Sequence, residues 1–298
     1  MKENLDIGIF LNKPVKKNGI MCPFSTQQII SYIIDGFNFC VYFTINLIAS
    51  FYSLPYAIIS VSIFIILNVL MVSFAFISAS TDPTDRLVYE ERNSKANNMK
   101  NLEITSKFFC MICQAHVKSN SKHCFVCNRC TEYFDHHCVW LNNCIGKDNY
   151  KSFFCFIIMA FFYSIYYISH NIYLYVYISK NLHKNSLSDI YCVDMTIPAY
   201  ILLGIVSADC LAISIYTIQL IVFHLWLYKS NMTTYDYIMI LRDAEGKSIN
   251  KPIINSANLL ENPTNNLEGI EIKKSIKVSR IRRLETKWKR RGGFRICR

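Results

Sequence analysis

A stretch rich in cysteine and histidine, residues 110–153, constrains this chain more than any other feature. It holds seven of the thirteen cysteines and four of the seven histidines. The cysteines form Cys-x2-Cys pairs with histidine between them, which is typical of structural zinc, because two thiolates two residues apart can reach one tetrahedral ion from a tight turn. Two closed tetrahedral sites use eight of the eleven candidate ligands and leave three over. The candidates are Cys110, Cys113, His116, His123, Cys124, Cys127, Cys130, His136, His137, Cys138 and Cys144.

The run Asp135-His136-His137-Cys138 carries the groups of a nucleophilic site. An acid that orients a histidine, which in turn activates a thiol, is an arrangement that makes cysteine a nucleophile. Cationic groups nearby favour the thiolate, which is the attacking species. Cys138 is therefore the candidate nucleophile. The spacing alone leaves a second interpretation open, in which Cys138 is one more zinc ligand.

The stretch resembles the cysteine-rich domain of the DHHC family of protein S-acyltransferases (palmitoyltransferases). Every spacing of that family's motif is present, whereas the rest of the chain resembles the family only in layout. Val139 stands where the family usually has proline, and Asp236 stands where a Thr-Thr-x-Glu element usually has glutamate. The motif residues are Cys110, Cys113, His123, Cys124, Cys127, Cys130, Asp135, His136, His137, Cys138, Trp140, Asn143, Cys144, Gly146, Asn149 and Phe153.

The resemblance implies an enzyme that moves a long-chain acyl group, such as palmitoyl, from acyl-CoA (palmitoyl-CoA) to cysteines of membrane-associated proteins. Cys138 would carry the acyl group, with His136 as the base and Asp135 orienting it. Thr234 is expected to hydrogen-bond Asp135. One structural zinc would be held by Cys110, Cys113, His123 and Cys130, and the other by Cys124, Cys127, His137 and Cys144. Trp140 and Tyr163 are candidates for contact with the acyl chain or acyl-CoA, and packing between helices is the alternative role for Tyr163.

The composition indicates a membrane protein. The chain is 52% hydrophobic with a mean hydropathy of +0.21, yet its net charge is +11, which predicts apolar spans with basic flanks. The apolar run 37–79 is about twice as long as one span needs, so Pro55, Ser50 and Ser53 are predicted to mark a turn. The predicted fold class is an all-α polytopic membrane protein with four transmembrane helices and a small cytosolic two-zinc domain between helices 2 and 3. The predicted spans are 33–52, 56–77, 152–177 and a fourth within 197–228.

The predicted organisation alternates between membrane and cytosol. Residues 84–108 are charged and rich in asparagine, which favours a surface linker. The predicted segments are a cytosolic N-terminal segment (1–32), helices 1 and 2 (33–79), the cytosolic linker and zinc domain (80–151), helices 3 and 4 (152–228) and a basic cytosolic tail (229–298).

The orientation follows from the basic residues. Of the 32 lysines and arginines, only two lie in 179–196 and none lies in the first turn, so the other thirty share one side. The positive-inside rule makes that side cytosolic, together with both termini. Cysteines grouped by zinc spacing also favour a reducing compartment, and a disulfide framework is the alternative. We expect an endomembrane, Golgi or ER, with the plasma membrane as the alternative.

The tail beyond Gly269 is strongly basic, which favours an anionic partner. In a membrane protein, binding of anionic lipid is favoured over binding of nucleic acid, at about 1 kcal/mol per basic residue near the surface.

Two other classes of protein fit parts of the pattern. A membrane-anchored RING-like ubiquitin ligase would need a further Cys-x2-Cys pair, and none follows Cys144. A non-catalytic scaffold that keeps the zinc fold is favoured only by Val139.

Overall fold

The long apolar runs form helices, as the composition predicts. A computed structural model describes residues 13–46, 53–97, 106–181 and 196–244. Within these residues four helices are long and apolar enough to cross a membrane, which confirms the predicted fold class. They are α1 (Thr26–Val41, continued by a π-helical turn at Tyr42–Asn46), α2 (Leu54–Ser80), α4 (Tyr150–Asn181) and α5 (Thr196–Lys229), with the shorter helices α3 (Arg86–Ala96) and α6 (Thr234–Ala244) outside this group.

The ends of the first two long helices differ from the prediction, and local chemistry explains the difference. α1 begins seven positions earlier than predicted because the Ser25 side chain accepts a hydrogen bond from the Gln28 N–H and caps the helix. Pro55 lies in the first turn of α2 rather than in a turn before it. The first turn tolerates proline because its N–H would have no helical partner there. Ser50 of the predicted turn lies outside the described residues.

Polar and aromatic side chains join the long helices. Tyr42 stacks on Phe64 with ring centroids 3.6 Å apart, and its hydroxyl is hydrogen-bonded to Ser60 at 2.7 Å. Asn46 donates to Asn171 of α4 at 2.8 Å. Such contacts stabilise helix association in a membrane, because the hydrophobic effect does not drive helices together in lipid. The bundle core therefore lies between α1 with its π-helical turn, α2, α4 and α5.

The cysteine-rich region folds as short antiparallel hairpins. The described residues contain three, each made of two three-residue strands: β1–β2 (Phe108–Cys110 and Ala115–Val117), β3–β4 (Lys122–Cys124 and Arg129–Thr131) and β5–β6 (His136–Cys138 and Asn143–Ile145). Gln114 and Asn128, which follow the Cys-x2-Cys pairs, both have a φ of 53°. This left-handed conformation reverses the chain directly after each pair, so that both sulfurs face the same point.

The predicted linker is partly helical. Asp85 caps α3 by accepting from the Leu87 N–H, and Val88 of this helix is buried against the first hairpin. Glu91 accepts hydrogen bonds from both the backbone N–H and Nδ1 of His116, at 2.6 and 3.0 Å. α3 is therefore part of the zinc domain. The rest of the predicted linker includes residues 98–105, which lie outside the described residues.

The end of α2 attaches the membrane helices to the hairpins. The Asn143 side-chain amide donates to the carbonyls of Ser78, Ala79 and Thr81, at 2.8–3.1 Å. The last carbonyls of a helix have no partner within it, so this amide satisfies groups that would otherwise be unpaired. Buried Arg129 lies on the same side and pairs with Asp82 at 3.1 Å. The third hairpin is thus fixed against the end of the bundle.

Candidate active site and metal centres

Eight of the candidate ligands lie in two tetrads. Within each tetrad the four ligand atoms all lie within 4.8 Å of one another. Three thiols and one imidazole per site, largely buried, are a donor set that suits structural zinc. The tetrads are Cys110, Cys113, His123 and Cys130, and Cys124, Cys127, His137 and Cys144, which are the sets that the family resemblance implies.

The hairpins explain why these residues meet. His123 and Cys130 are direct cross-strand partners in β3–β4, and His137 and Cys144 are partners in β5–β6. Residues directly opposite each other in an antiparallel pair have Cβ atoms about 4.5–5.5 Å apart, so each pair supplies two ligands to one tetrad. A Cys-x2-Cys turn supplies the other two.

Strand geometry also separates Cys138 from the tetrads. In β5, successive side chains point to opposite faces, so His136 and Cys138 share one face while His137 occupies the other. Cys138 belongs to neither tetrad. Its side chain is 7% exposed and packs among apolar residues near the end of the bundle, including Leu141 and Phe153.

An acid and a histidine adjoin this thiol. His136 Nδ1 donates to Asp135 at 2.7 Å, and His136 lies on the same face of β5 as Cys138. Asp135 is 3% exposed and accepts two more bonds from Thr234, from its N–H at 2.8 Å and from its hydroxyl at 2.7 Å. The expected Thr234 contact is thus present in the structure.

The partners of these groups shift their pKa values toward an ion pair. Burial raises the pKa of the Asp135 carboxyl, but hydrogen bonds from His136 and Thr234 outweigh burial and hold that pKa below its usual range. Burial likewise opposes charge on His136, yet Asp135 and Cys138 raise its pKa to about 9. Burial raises the pKa of the Cys138 thiol, but the neighbouring His136 and nearby backbone N–H groups lower that pKa by more than burial raises it. The arrangement therefore favours a thiolate beside an imidazolium.

A capping box places Thr234. Thr233 precedes α6, and its hydroxyl accepts from the Asp236 N–H at 3.1 Å while the Asp236 carboxylate accepts from the Thr233 N–H at 3.3 Å. This reciprocal pair is the usual start of a helix, and aspartate forms it where the family usually has glutamate. The first turn of α6 then presents the Thr234 N–H to Asp135.

Sequence reasoning missed a second histidine beside the site. His224 of α5 is 2% exposed, and its Nδ1 is hydrogen-bonded to the Tyr150 hydroxyl at 2.9 Å. Its ring centroid lies 6.1 Å from that of His136, and Phe153 packs edge-on against both rings. A histidine inside an apolar run was the available signal, because such groups are costly in a membrane and usually face a partner.

The two candidate acyl contacts lie in different places. Trp140 is 40% exposed and lies two residues after Cys138. Tyr163 is 2% exposed in the bundle core, where its ring centroid lies 5.7 Å from that of Phe64. The structure does not bring Tyr163 to Cys138, because ten residues of helix separate it from Phe153, about 15 Å of rise.

Comparisons with known proteins match the part of the chain that contains the candidate site. Residues 103–240 match the family model described as DHHC palmitoyltransferase. Probable protein S-acyltransferase 7 of Arabidopsis thaliana is 34% identical over 149 residues, which cover 50% of this chain and 32% of that protein. Palmitoyltransferase ZDHHC15A of Danio rerio is 33% identical over 176 residues, which cover 55% of this chain and 50% of that protein.

A shorter match is closer in sequence. Palmitoyltransferase SWF1 of Saccharomyces cerevisiae is 51% identical over 53 residues, which cover 18% of this chain and 16% of that protein. The chain covers half or less of the length of these three relatives. On the family-model match and these relatives, the chain carries a domain of the DHHC palmitoyltransferase family at residues 103–240.

Proposed function

We propose that this protein is a protein S-acyltransferase that moves a long-chain acyl group, palmitoyl in the first instance, from acyl-CoA through Cys138 to cysteines of membrane-associated proteins. The relatives that match the chain are named S-acyltransferases or palmitoyltransferases. The observation that carries the proposal is that Cys138 stands outside both tetrads, on the strand face that it shares with His136, whose Nδ1 donates to Asp135. A thiol that only bound metal would need no such partner.

The first step forms the acyl-enzyme. The Cys138 thiolate attacks the carbonyl carbon of the acyl-CoA thioester, a new carbon–sulfur bond forms, and the bond to the CoA sulfur breaks. The His136 imidazolium, which holds the proton taken from Cys138, gives it to the departing CoA thiolate. Asp135 keeps the ring oriented and stabilises its charged form, and Thr234 fixes Asp135 in turn.

The second step regenerates Cys138. The thiol of a substrate cysteine gives its proton to His136 and attacks the acyl-enzyme carbonyl, so that the acyl group leaves on the substrate sulfur. Both steps exchange one thioester for another and are nearly thermoneutral. The site therefore needs to supply mainly a thiolate and correct placement of the reacting groups.

The two tetrads fit structural zinc. Each tetrad offers four protein ligands, which leaves no open position for a substrate or water. When bound, zinc supplies a cross-link between hairpins. The side chains of Cys124, Cys127, His137 and Cys144 would then hold β5 in place, and with it Asp135 and Cys138.

We place the acyl chain in the apolar region beneath Cys138. The residues that pack around Cys138 come from the third hairpin and from α2, α4 and α5, where a hydrocarbon chain can leave water. Trp140, two residues after Cys138 and 40% exposed, would contact the acyl chain or acyl-CoA where it enters. In this proposal Tyr163, deeper along α4, meets the far part of the chain.

The proposed topology puts the active site in the cytosol. Acyl-CoA is made in the cytosol, and its charged nucleotide cannot cross a bilayer unaided. The asymmetry of basic residues favours the same orientation. The partners are then membrane-associated proteins with cytosolic cysteines, the bilayer itself, and anionic lipid at the basic tail. The membrane in this proposal is Golgi or ER.

Incubation of the purified full chain in detergent with alkyne-tagged palmitoyl-CoA tests the reaction. We expect a label that hydroxylamine removes, because a thioester is cleaved by that nucleophile. Cys138→Ser should abolish labelling while two zinc ions per chain remain. Loss of zinc in that variant would make Cys138 a ligand and contradict the proposal.

A further inference from the structure

The segment before the first membrane helix lies across the zinc domain. We call residues 13–25 the N-terminal strap. The Lys16 N–H donates to the Cys127 carbonyl at 2.9 Å, and the Asn128 side chain donates to the Lys13 carbonyl at 2.6 Å. Buried Arg129 donates to the Lys17 carbonyl. The strap is therefore bound along its first half to the β3–β4 hairpin.

The second half of the strap holds the loop that follows Cys138, residues 139–142. The Ser25 hydroxyl donates to the Val139 carbonyl, and the Asn142 amide donates to the Pro23 carbonyl at 3.0 Å. Gly19 is buried against the same loop, and a Cβ there would lie 2.0 Å from the Leu141 carbonyl oxygen. No side chain fits at that distance, so this approach requires glycine.

These contacts act on the residues that pack around the sulfur. Leu141 and Ala79 belong to the buried cluster that contains Cys138. Gly19 lies against the Leu141 carbonyl and donates its N–H to the Ala79 carbonyl at 2.7 Å, while the Ser25 hydroxyl holds the carbonyl of Val139, the residue directly after Cys138. The strap therefore restrains the loop and the helix end that enclose the thiol.

We propose that the N-terminal strap positions the Cys138 nucleophile, with Ser25 and Gly19 as positioning residues that fix the loop directly after it. The expected effect of the strap on acyl transfer rests on the proposed function. The placement of the Cys138 thiol can be tested independently, because its rate of alkylation by a small reagent depends on that placement and needs no acyl-CoA. In this proposal the residues just before the first membrane helix contribute to the active site.

Variants at Ser25 separate positioning from helix capping. Aspartate keeps an acceptor for the Gln28 N–H and remains a good N-cap, but its carboxylate cannot donate to the Val139 carbonyl. Threonine keeps both functions. We expect Ser25→Asp to slow single-turnover acylation at saturating palmitoyl-CoA about tenfold, as loss of one hydrogen bond allows. Ser25→Thr should stay within about twofold of wild type.

Variants at glycine provide a matched pair. Gly19→Ala should displace the strap from the loop and slow the reaction at least as much as Ser25→Asp. Gly36→Ala is the control, because a Cβ at Gly36 in α1 meets nothing within 4 Å. Each variant is measured for zinc content, for acylation, and for the rate of alkylation of Cys138 by iodoacetamide, followed by mass spectrometry of its peptide.

The outcomes separate the two proposals. Slower alkylation and acylation in Ser25→Asp, with two zinc ions retained and recovery in Ser25→Thr, would support positioning. If Cys138 is alkylated more slowly in Ser25→Asp than in wild type, but wild type itself is not acylated, positioning by the strap is supported and the acyltransferase proposal fails. Wild-type rates in Ser25→Asp would overturn positioning. Slow rates accompanied by zinc loss in Ser25→Asp would overturn it too, since the strap would then only support the fold.

Discussion

At the scale of the residue, His136 and His137 are neighbours in sequence with opposite surroundings. His136 faces Asp135 and Cys138, whereas His137 faces the sulfurs of the second tetrad, with its Nδ1 3.4 Å from Cys127. We expect His136→Ala to leave a folded chain with two zinc ions and a rate of acylation lower by about 10²–10⁴-fold, because it removes the proton acceptor. His137→Ala should lower zinc content and stability, because it removes a ligand. Zinc analysis of both purified variants checks this, and equal zinc loss in the two would contradict the division of roles.

At the scale of the element, α3 depends on one buried carboxylate. Glu91 is 6% exposed and accepts from His116 twice and from Lys95 at 2.8 Å, so its loss leaves the His116 N–H without a partner. We expect Glu91→Ala to destabilise the docking of α3 by about 1–3 kcal/mol. Hydrogen exchange of residues 86–96 should rise, while exchange in β5–β6 stays unchanged. Glu90→Ala, at an exposed position of the same helix, is the control, and equal exchange in the two variants would refute this role of Glu91.

At the scale of the whole molecule, the mechanism depends on topology. The basic residues predict that residues 50–55 and 180–195 are lumenal. A glycosylation sequon placed near position 186 should be modified in cells if it stands far enough from the membrane, whereas one placed near Asn97 or in the basic tail should not. A tag at the C-terminus should be digested by protease added to intact microsomes. Protection of that tag, or glycosylation near Asn97, would contradict both the orientation and a cytosolic Cys138.

The metal tetrads and the membrane helices could be predicted from the sequence because both depend on local spacing. A Cys-x2-Cys pair can bind one metal ion from a single turn. An apolar run of about 20 residues or more is long enough to cross the bilayer as a helix. Spacing alone did not decide whether Cys138 is a nucleophile or a zinc ligand. The resemblance to a known family indicated that it is the nucleophile and which eight residues form the two tetrads. The alternation of β5 gives the physical reason for that division, since His136 and Cys138 lie on one face and His137 on the other.

Only the tertiary structure decided which distant segments complete the site. His224 comes beside His136 because α5 returns to the end of the bundle where the third hairpin is fixed. The contact of Thr234 with Asp135, in contrast, is one that the family resemblance already implied. The strap at Gly19 and Ser25 meets the loop after Cys138 across more than a hundred residues of sequence. No local pattern encodes such contacts. They depend on the docking of the hairpins against the end of α2, where the Asn143 amide satisfies free helix carbonyls.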